Sequence, residues 1–266
     1  MTKLKIFCVT NKHVPALENS NFILSGVGDY NFGDHYIQSN NKDNIIHKEK
    51  YYSELTFHYW YWKNLLKEED AEWIGFCQRR RLWLQEAKSI KRINYENISN
   101  YILKTPIDDW QNYDSILCEP IKVSGSKKTK MIKRGWRNLL KKPEIFFNPN
   151  LQTINFHFDM HHGHGNLIKA INVMDEIDKI GFLNFVKTEN SFSPHIMFIS
   201  KKNFIKEWFD TLFPWLERCE KIFGFEKLEG YDTTRLYAYL AERYLSYWFK
   251  KNTRYTYHPW KFMEKF

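Results

Sequence analysis

A short histidine-rich run carries the densest set of reactive side chains in this chain. Three histidines and an aspartate lie within six residues, in the sequence Asp159-Met160-His161-His162-Gly163-His164-Gly165-Asn166. The three histidines and Asp159 lack the i, i+4 spacing of a helical zinc site, and no cysteine lies nearby to complete one. The imidazoles can bind phosphate or sugar hydroxyls, Asp159 with one histidine can hold Mn²⁺ or Mg²⁺, or the run can form a polar turn. All three alternatives stay open at this point.

Three consecutive arginines form a second candidate site. Trp73–Cys77, which has the composition of a buried strand, runs into Gln78 and then Arg79-Arg80-Arg81. Guanidinium groups pair with phosphate oxygens through two parallel hydrogen bonds. At the carboxyl end of a strand they would face the crevice of an open sheet, where such folds bind ligands. The alternative is a solvated basic turn.

Four carboxylates are candidates for a general base: Asp43, Asp159, Asp232 and Glu242. Glu242 lies inside an apolar helical segment and is followed by Arg243. Arg235 precedes Glu242 by seven residues, so one helix would place both on the same face. A carboxylate in such a position is either functional or part of a structural ion pair.

Alternating apolar runs predict an α/β fold in which strands and helices form layers. The chain opens with a strand over Leu4–Val9, which ends in the polar loop Thr10-Asn11-Lys12, as many nucleotide-binding α/β domains do. Residues 26–49 are rich in Gly, Asn and Asp and predict a long loop. Further strands are predicted over 73–77, 113–117 and 195–200, and helices over 49–67, 165–180, 201–223 and 232–251.

The composition bounds the class of protein. The 266 residues are 43% hydrophobic and 18% aromatic, and the net charge of +9 favours anionic partners. Nine lysines and arginines fall within residues 122–142, which we interpret as a mobile excursion from the core. Four scattered cysteines predict reduced thiols of a cytosolic protein, and no apolar run is long enough for a membrane span. P-loop, GxGxxG, HExxH and GxSxG motifs are absent from the sequence.

Several blocks, taken in order, resemble one protein family. They are Asp43-Asn44-Ile45, Glu54-Leu55-Thr56, Tyr59–Asn64, Ile74–Cys77 with Arg80-Arg81, Tyr113-Asp114 with Ile116-Leu117 and Pro120, Met197–Ile199 before Lys201-Lys202, and Leu240–Arg243 with Trp248. The chain is similar to glycosyltransferase-like proteins of bacterial capsular and exopolysaccharide loci, a former domain of unknown function with galactofuranosyltransferase-type members. Three positions depart from the family pattern: Gln78-Arg79 replaces His-Tyr, and His195 replaces Asn.

The resemblance implies a GT-A-like fold, with a single nucleotide-binding sheet flanked by helices and with acceptor-side helices towards the C-terminus. It implies one domain over residues 1–266, with a donor-binding part at about 1–125, the basic excursion at about 122–145, and an acceptor-side helical part at about 150–266. The implied reaction moves a sugar from a nucleotide diphosphate donor, first of all UDP-galactofuranose or a related UDP-hexose, to a capsular or exopolysaccharide acceptor.

Roles for individual residues follow from this frame as expectations. The expected catalytic bases are Asp232 and Glu242. The expected donor ligands are Thr10, Asn11, Lys12, Asp43, Asn44, Arg80, Arg81, His161 and His162. The expected acceptor-side residues are His195, Arg235 and Arg243. Asp159 is the candidate ligand for Mn²⁺ or Mg²⁺.

The location implied is the cytoplasm, with possible peripheral association at the inner face of the plasma membrane, where a lipid-linked glycan acceptor would lie. A basic, aromatic surface could dock on anionic lipid there. The alternative function is nucleic-acid binding through the basic segment and the aromatic residues. Against it, the basic residues are concentrated in one segment and no familiar nucleic-acid-binding motif occurs.

Overall fold

Eleven strands and ten α-helices lie in residues 3–86 and 93–264, which are the residues that the computed structural model describes. The strands are β1 (Leu4–Thr10), β2 (Ile23–Gly26), β3 (Ile37–Gln38), β4 (Trp73–Gln78), β5 (Arg81–Trp83), β6 (Ser115–Cys118), β7 (Ile121–Lys122), β8 (Ser191–Phe192), β9 (Phe198–Ser200), β10 (Tyr255–His258) and β11 (Trp260–Phe262). The helices are α1 (Pro15–Glu18), α2 (Glu49–Tyr52), α3 (Leu55–Asn64), α4 (Lys128–Lys141), α5 (Ile154–His162), α6 (Asn166–Ile171), α7 (Glu176–Thr188), α8 (Lys202–Phe223), α9 (Tyr231–Thr234) and α10 (Leu236–Asn252).

The chain divides into two compact units, and both are discontinuous in sequence. The first unit contains Met1–Glu119, His195–Asp210 and Trp248–Phe266. The second contains Pro120–Pro194 and Thr211–Tyr247. The single domain over residues 1–266 stays a prediction.

A mixed, mainly parallel sheet forms the centre of the first unit. Its strand order is β10-β6-β9-β4-β1-β2-β3, and β5 and β11 extend it beyond β4. The pairs β4–β1, β1–β2, β2–β3 and β10–β6 are parallel, whereas β9 runs antiparallel to both β4 and β6. Strand β1 is buried from Ile6 to Thr10, as expected of a strand that lies between two parallel neighbours. This confirms the predicted α/β class.

Helices dominate the second unit. Helix α5 contacts α4, α6, α7 and α9 and therefore lies at the centre of this helical layer. A two-stranded ribbon of β7 and β8 accompanies it. Gly135 on α4 allows a close approach to α5, because a Cβ at this position would lie 3.0 Å from Cε2 of Phe156 and 3.2 Å from Cγ of Met160.

The predictions for β1, β4 and α8 are confirmed, but others are corrected. The helix predicted over 49–67 is broken at Ser53, whose φ of 53° ends α2 before α3 begins. The helix predicted over 165–180 is two helices, α6 and α7, and the one over 232–251 is also two, α9 and α10. The segment at 122–142 is not an excursion: residues 128–141 form α4, which packs on α5. Lysine and arginine are good helix formers, so this basic segment forms a helix despite its Gly and Ser residues.

Candidate functional site

Three parallel strands end at the same edge of the sheet in the first unit. The register pairs Thr10 of β1 with Gly26 of β2, and Val9 of β1 with Gln78 of β4. The side-chain hydroxyl of Thr10 donates to the carbonyl oxygen of Lys12 (2.5 Å) and accepts from the Lys12 amide (3.1 Å), which forms a tight turn. Asn11 is partly exposed and Lys12 is exposed at the edge where open α/β sheets bind their ligands.

An aromatic group follows this turn. The ring of His13 stacks on that of Tyr36, with centroids 5.0 Å apart, and lies 5.7 Å from the ring of Tyr30. The Tyr36 hydroxyl accepts a hydrogen bond from the Val14 amide (2.8 Å), which fixes this ring. Tyr30 is 47% exposed, so its face can stack on a planar ligand such as a nucleobase. The sequence prediction overlooked His13 and Tyr30, although aromatic residues in the Gly-rich loop after β2 were a signal.

Gln78 links the end of β4 to two other segments. Its side-chain amide donates to Glu54, at the start of α3, and to the carbonyl oxygen of His195 (2.8 Å), and its Oε1 accepts from Arg81 (2.8 Å). His195 and Ile196 have φ values of 75° and 53°. Non-glycine residues in this left-handed region cost about 1–2 kcal/mol each and concentrate at functional sites. The structure therefore brings His195 to the edge where Thr10 and Gln78 lie, instead of extending a strand over 195–200.

Arg80 and Arg81 differ from the prediction in their surroundings. Arg79 and Arg80 form the turn between β4 and β5, and Arg81 begins β5. The Arg80 guanidinium donates to the carbonyl oxygens of Met263 (3.0 Å) and Glu264 (2.8 Å) and lies 4.8 Å from the ring centroid of Phe262. Through these contacts Arg80 fixes the residues at the end of β11 and directly after it. The role of both arginines as diphosphate ligands stays a prediction.

Asp43 and Asn44 lie beside the C-terminal half of α3. The Tyr59 hydroxyl donates to Asp43 (3.2 Å), and the Asn64 amide donates to the Asp43 carbonyl oxygen (2.8 Å). Asn44 closes its own loop by donating to the carbonyl oxygen of Lys42 (2.9 Å). Gln78 contacts Glu54 at the start of α3, whereas Asp43 contacts residues nearer the end of this helix. The helix is about 15 Å long. The roles of Asp43 and Asn44 as donor ligands stay predictions.

The first half of the histidine run of the second unit closes α5, and the run as a whole leads directly into α6. Asp159, His161 and His162 occupy the end of α5, and Gly163, with φ of 99°, terminates it. The carboxylate of Asp159 accepts from the Gly165 amide (2.9 Å) and from Asn138 (2.9 Å), and its Oδ2 lies 3.1 Å from Nδ1 of His164. Asp159 therefore stabilises the turn that follows α5.

The contacts of Asp159 do not fit a metal ligand. Both of its carboxylate oxygens are already engaged in hydrogen bonds. Within residues 3–86 and 93–264, no three His, Cys, Asp or Glu side chains converge in a way that could hold a metal ion. A divalent ion at Asp159 stays a prediction, and no chemical step is derived through it.

Three histidines lie together on α5, and the sequence prediction named only two of them. His157 stands four residues before His161, and their rings stack with centroids 4.5 Å apart. The prediction overlooked this i, i+4 pair because it began the run at Asp159. Burial lowers the pKa of His157 to about 2, that of His161 to about 4 and that of His162 to about 3. All three are therefore neutral at physiological pH.

His162 is fixed by a specific hydrogen bond. Its Nδ1 donates to the carbonyl oxygen of Asp232 (2.7 Å), and its ring stacks on Tyr239 with centroids 3.8 Å apart. Because Nδ1 carries the proton in the neutral ring, Nε2 is an acceptor. The Asp232 carboxylate pairs with Arg134 of α4 (2.7 Å). The structure thus unites Asp232 with His161 and His162.

Glu242 and Arg243 form an ion pair on α10. Arg243 is 2% exposed, and its guanidinium carbon lies 3.9 Å from the ring centroid of Phe192. Burial lowers the pKa of Arg243, and the adjacent Glu242 opposes that shift. The buried Nε of Arg243 has no hydrogen-bond partner within the part of the chain that the structure describes. Arg235 lies outside α10, at the C-cap of α9, so the prediction that Arg235 and Glu242 share a face of one helix is wrong.

Comparison with known proteins gives the chain a family. The family described as "Domain of unknown function (DUF4422)" matches residues 5–253. The chain belongs to the DUF4422 family. No curated protein matches it. The predicted resemblance is thereby confirmed at the level of the family.

The DUF4422 chain is also similar to one solved structure, the apo form of the WbbM bifunctional glycosyltransferase. The TM-score is 0.73 and the identity 18%, over 99% of this chain and 46% of the other. The chain thus spans about half the length of that protein. At this identity the likeness shows a common fold, consistent with the predicted GT-A-like architecture. No helix among the described residues is long and apolar enough to cross a membrane.

Proposed function

We propose that this DUF4422 chain is a glycosyltransferase that takes its sugar from a nucleotide diphosphate donor. The observation that carries the proposal is the fold shared with a glycosyltransferase over 99% of the chain. The carboxyl edge of β1 and β4 supports it, because this edge presents Asn11, Lys12 and an exposed aromatic residue together. The first candidate donor is UDP-galactofuranose or a related UDP-hexose.

The first unit supplies the donor site in this proposal. Tyr30 stacks on the base, the turn at Thr10 positions Asn11, and Lys12 neutralises the diphosphate. Positive charge at this place lowers the barrier because negative charge develops on the leaving diphosphate. Arg81 is the better candidate for a second cation, because its guanidinium is held by Gln78. The guanidinium of Arg80 is engaged with the carbonyl oxygen of Met263.

Glu242 and His162 are the candidates that we propose for the acceptor-side chemistry. Glu242 is held beside a buried guanidinium, which keeps its carboxylate oriented, and we assign it the role of the base that deprotonates the acceptor hydroxyl. Neutral His162 can accept a hydrogen bond from a sugar hydroxyl through Nε2. Asp232 has Arg134 as a partner and serves to position His162 through its carbonyl oxygen. The acceptor proposed is a capsular or exopolysaccharide glycan in the bacterial cytoplasm.

Donor binding provides the first test. Titration of the purified chain with UDP, UDP-galactofuranose, UDP-galactose and ADP-sugars should show binding of a UDP-sugar. Asn11→Ala and Lys12→Ala should weaken that binding roughly tenfold or more, as the loss of a charge-assisted hydrogen bond does. Lys187→Ala, which removes an exposed lysine of α7, is the matched control and should bind normally. Failure of every nucleotide diphosphate sugar to bind would overturn the proposal.

Turnover provides the second test. Glu242→Gln should lower kcat for transfer at least a hundredfold while leaving the Kd for the donor nearly unchanged, since a base acts on the acceptor. Arg81→Ala should reduce donor hydrolysis, and full activity in this variant would remove that arginine from the mechanism. Addition of EDTA, followed by Mn²⁺ or Mg²⁺, tests metal dependence separately.

A further inference from the structure

Helix α4 has one face that is buried against α5 of the same unit. Met131 and Gly135 are buried, and Met131 packs with Phe156 and Met160 of α5. Asn138, one turn further on, donates to Asp159 of α5 (2.9 Å). These contacts fix the rotation of α4 about its axis and therefore decide which of its side chains point outward.

A second, apolar face of α4 is exposed. Ile132, Trp136 and Leu140 are 58%, 50% and 74% exposed, and the following segment adds Phe147 at 77%. The first three residues follow a four-residue spacing, so they line one side of the helix. Single exposed apolar residues are ordinary, whereas a continuous stripe on one helix marks a surface that meets an apolar partner.

The charged residues of α4 and its flanks are all basic. Between Glu119 and Glu144 the chain has no Asp or Glu, and residues 127–142 contain eight lysines and arginines. Lys133 and Arg137 adjoin the apolar stripe, and the Arg137 guanidinium carbon lies 5.3 Å from the ring centroid of Trp136. Arg134 of this set pairs with the carboxylate of Asp232.

We propose that α4 docks this protein on the surface of an anionic lipid bilayer. A helix of 14 residues is about 21 Å long, and lying in the interface it can place one apolar side among the upper acyl chains. Tryptophan favours this depth because its ring is apolar and its N–H is polar. Lysine and arginine beside the stripe reach the phosphate groups, and each contributes about 1 kcal/mol of attraction near an anionic surface.

The exposed apolar stripe decides between a membrane and other anionic partners. Nucleic acid would be bound by the basic residues alone, and it would leave Ile132 and Leu140 in water. A bilayer satisfies both the positive charge and the apolar stripe. The proposed function supplies only a reason for the binding, because a membrane-bound transferase would meet a lipid-linked acceptor. The binding to lipid does not itself require catalysis.

Vesicle co-sedimentation of the full chain tests the proposal without any nucleotide sugar. The wild-type chain should bind vesicles of phosphatidylcholine with phosphatidylglycerol at least tenfold more tightly than vesicles of phosphatidylcholine alone. Leu140→Glu should reduce binding to the anionic vesicles at least tenfold. Ile180→Glu is the matched control, because Ile180 of α7 is 73% exposed, and it should bind within twofold of wild type.

Charge reversal tests the electrostatic part. Lys133→Glu should weaken binding to the anionic vesicles by about fivefold or more, as expected when one basic residue is lost at the surface, and Lys187→Glu should not. Thermal unfolding of each variant shows that the fold is retained. Equal binding to both vesicle types, or wild-type binding by Leu140→Glu, would overturn the proposal. A different result would replace the membrane proposal with a nucleic-acid role. In that result the chain binds no vesicles but binds random oligonucleotides, and Lys133→Glu abolishes this binding whereas Leu140→Glu does not.

Discussion

Some residues in the first unit are packed so closely that one added methyl group would lower the stability of the fold. Gly75 lies in the middle of β4, between the neighbouring strands β1 and β9. A Cβ at this position would lie 2.8 Å from Cγ1 of Ile199 and 3.2 Å from Cγ1 of Ile6. Both isoleucines are buried, so neither can move into open space. The sequence shows a glycine in a strand, and only the sheet order explains it.

Gly75→Ala should therefore lower the free energy of unfolding by about 1–3 kcal/mol through overpacking. Gly33→Ala is the matched control, because a Cβ there would have no atom within 4 Å. It should be neutral or slightly stabilising, since alanine restricts the unfolded chain. Urea denaturation of both variants measures the difference, and equal stabilities would contradict the packing described for β4.

Asp114 is the second residue whose surroundings predict a measurable effect. Its carboxylate accepts from Arg254 (3.0 Å) and Lys201 (3.2 Å), and the Arg254 hydrogen bonds lower its pKa to about 2. An unfolded Asp has a pKa of about 3.9. Because the folded pKa is the lower one, the stabilisation is present above about pH 4 and is lost as the pH falls towards about 2.

Asp114→Asn should flatten the acid limb of the stability curve and cost roughly 1–2 kcal/mol at neutral pH, allowing for solvent around the exposed Arg254. Thermal unfolding between acidic and neutral pH measures this. Asp109→Asn, in an exposed position of the same segment, serves as the comparison. An unchanged acid limb in Asp114→Asn would show that the Arg254 contact does not stabilise the fold.

At the scale of elements, α5 combines structural and chemical roles. Its apolar residues pack against four neighbouring helices, while His157, His161 and His162 share its final turns. Their burial favours the neutral form, so protonation opposes folding. The unfolded chain binds protons at about pH 6.5, whereas folded His162 does so only at about 3. Stability must therefore fall as the pH drops below about 6.5.

His162→Phe should remove about 1.4 kcal/mol per pH unit from the slope of stability against pH between about 6.5 and 4. The phenyl ring retains the stack on Tyr239 but does not titrate. His35→Gln, which replaces an exposed histidine, serves as the comparison. Urea titrations at several pH values give the slopes, and parallel curves for His162→Phe and wild type would contradict the burial of this imidazole.

At the scale of the whole molecule, the sheet depends on chain segments that are distant in sequence. Strand β9 separates β4 from β6, and β10 and β11 come from the last residues described. The final segment also pairs Arg254 with Asp114, buries Met263 and supplies the carbonyl oxygens that hold Arg80. The first unit is therefore assembled from three pieces of the chain.

Truncation after Thr253 should abolish cooperative unfolding of the first unit, because it removes both strands and the partner of Asp114. The full chain, which keeps β10 and β11, is the comparison. Limited proteolysis with mass spectrometry, alongside thermal unfolding, distinguishes the two. A truncated chain that unfolds like the full one would show that the C-terminal strands are dispensable.

The sequence by itself determined the layered α/β class, the first strand with its polar turn, the buried strand before the arginines, and the family. Those features are local: apolar periodicity, β-branched composition and turn residues depend on near neighbours. The predicted helix boundaries are wrong where a left-handed backbone angle ends a helix, as at Ser53. They are also wrong where a strongly basic segment forms a helix, as in α4.

Only the tertiary structure decided which of the candidate side chains meet. In the structure Arg80 donates to the carbonyl oxygen of Met263, and Gln78 donates to that of His195. Asp159 accepts from the Gly165 amide in the turn after α5. The tertiary structure also added His157 to the histidine cluster and turned the apolar stripe of α4 outward. These contacts join residues whose proximity depends on the order of strands and the packing of helices. No local pattern in the sequence specifies that order, because it results from the burial of the whole chain.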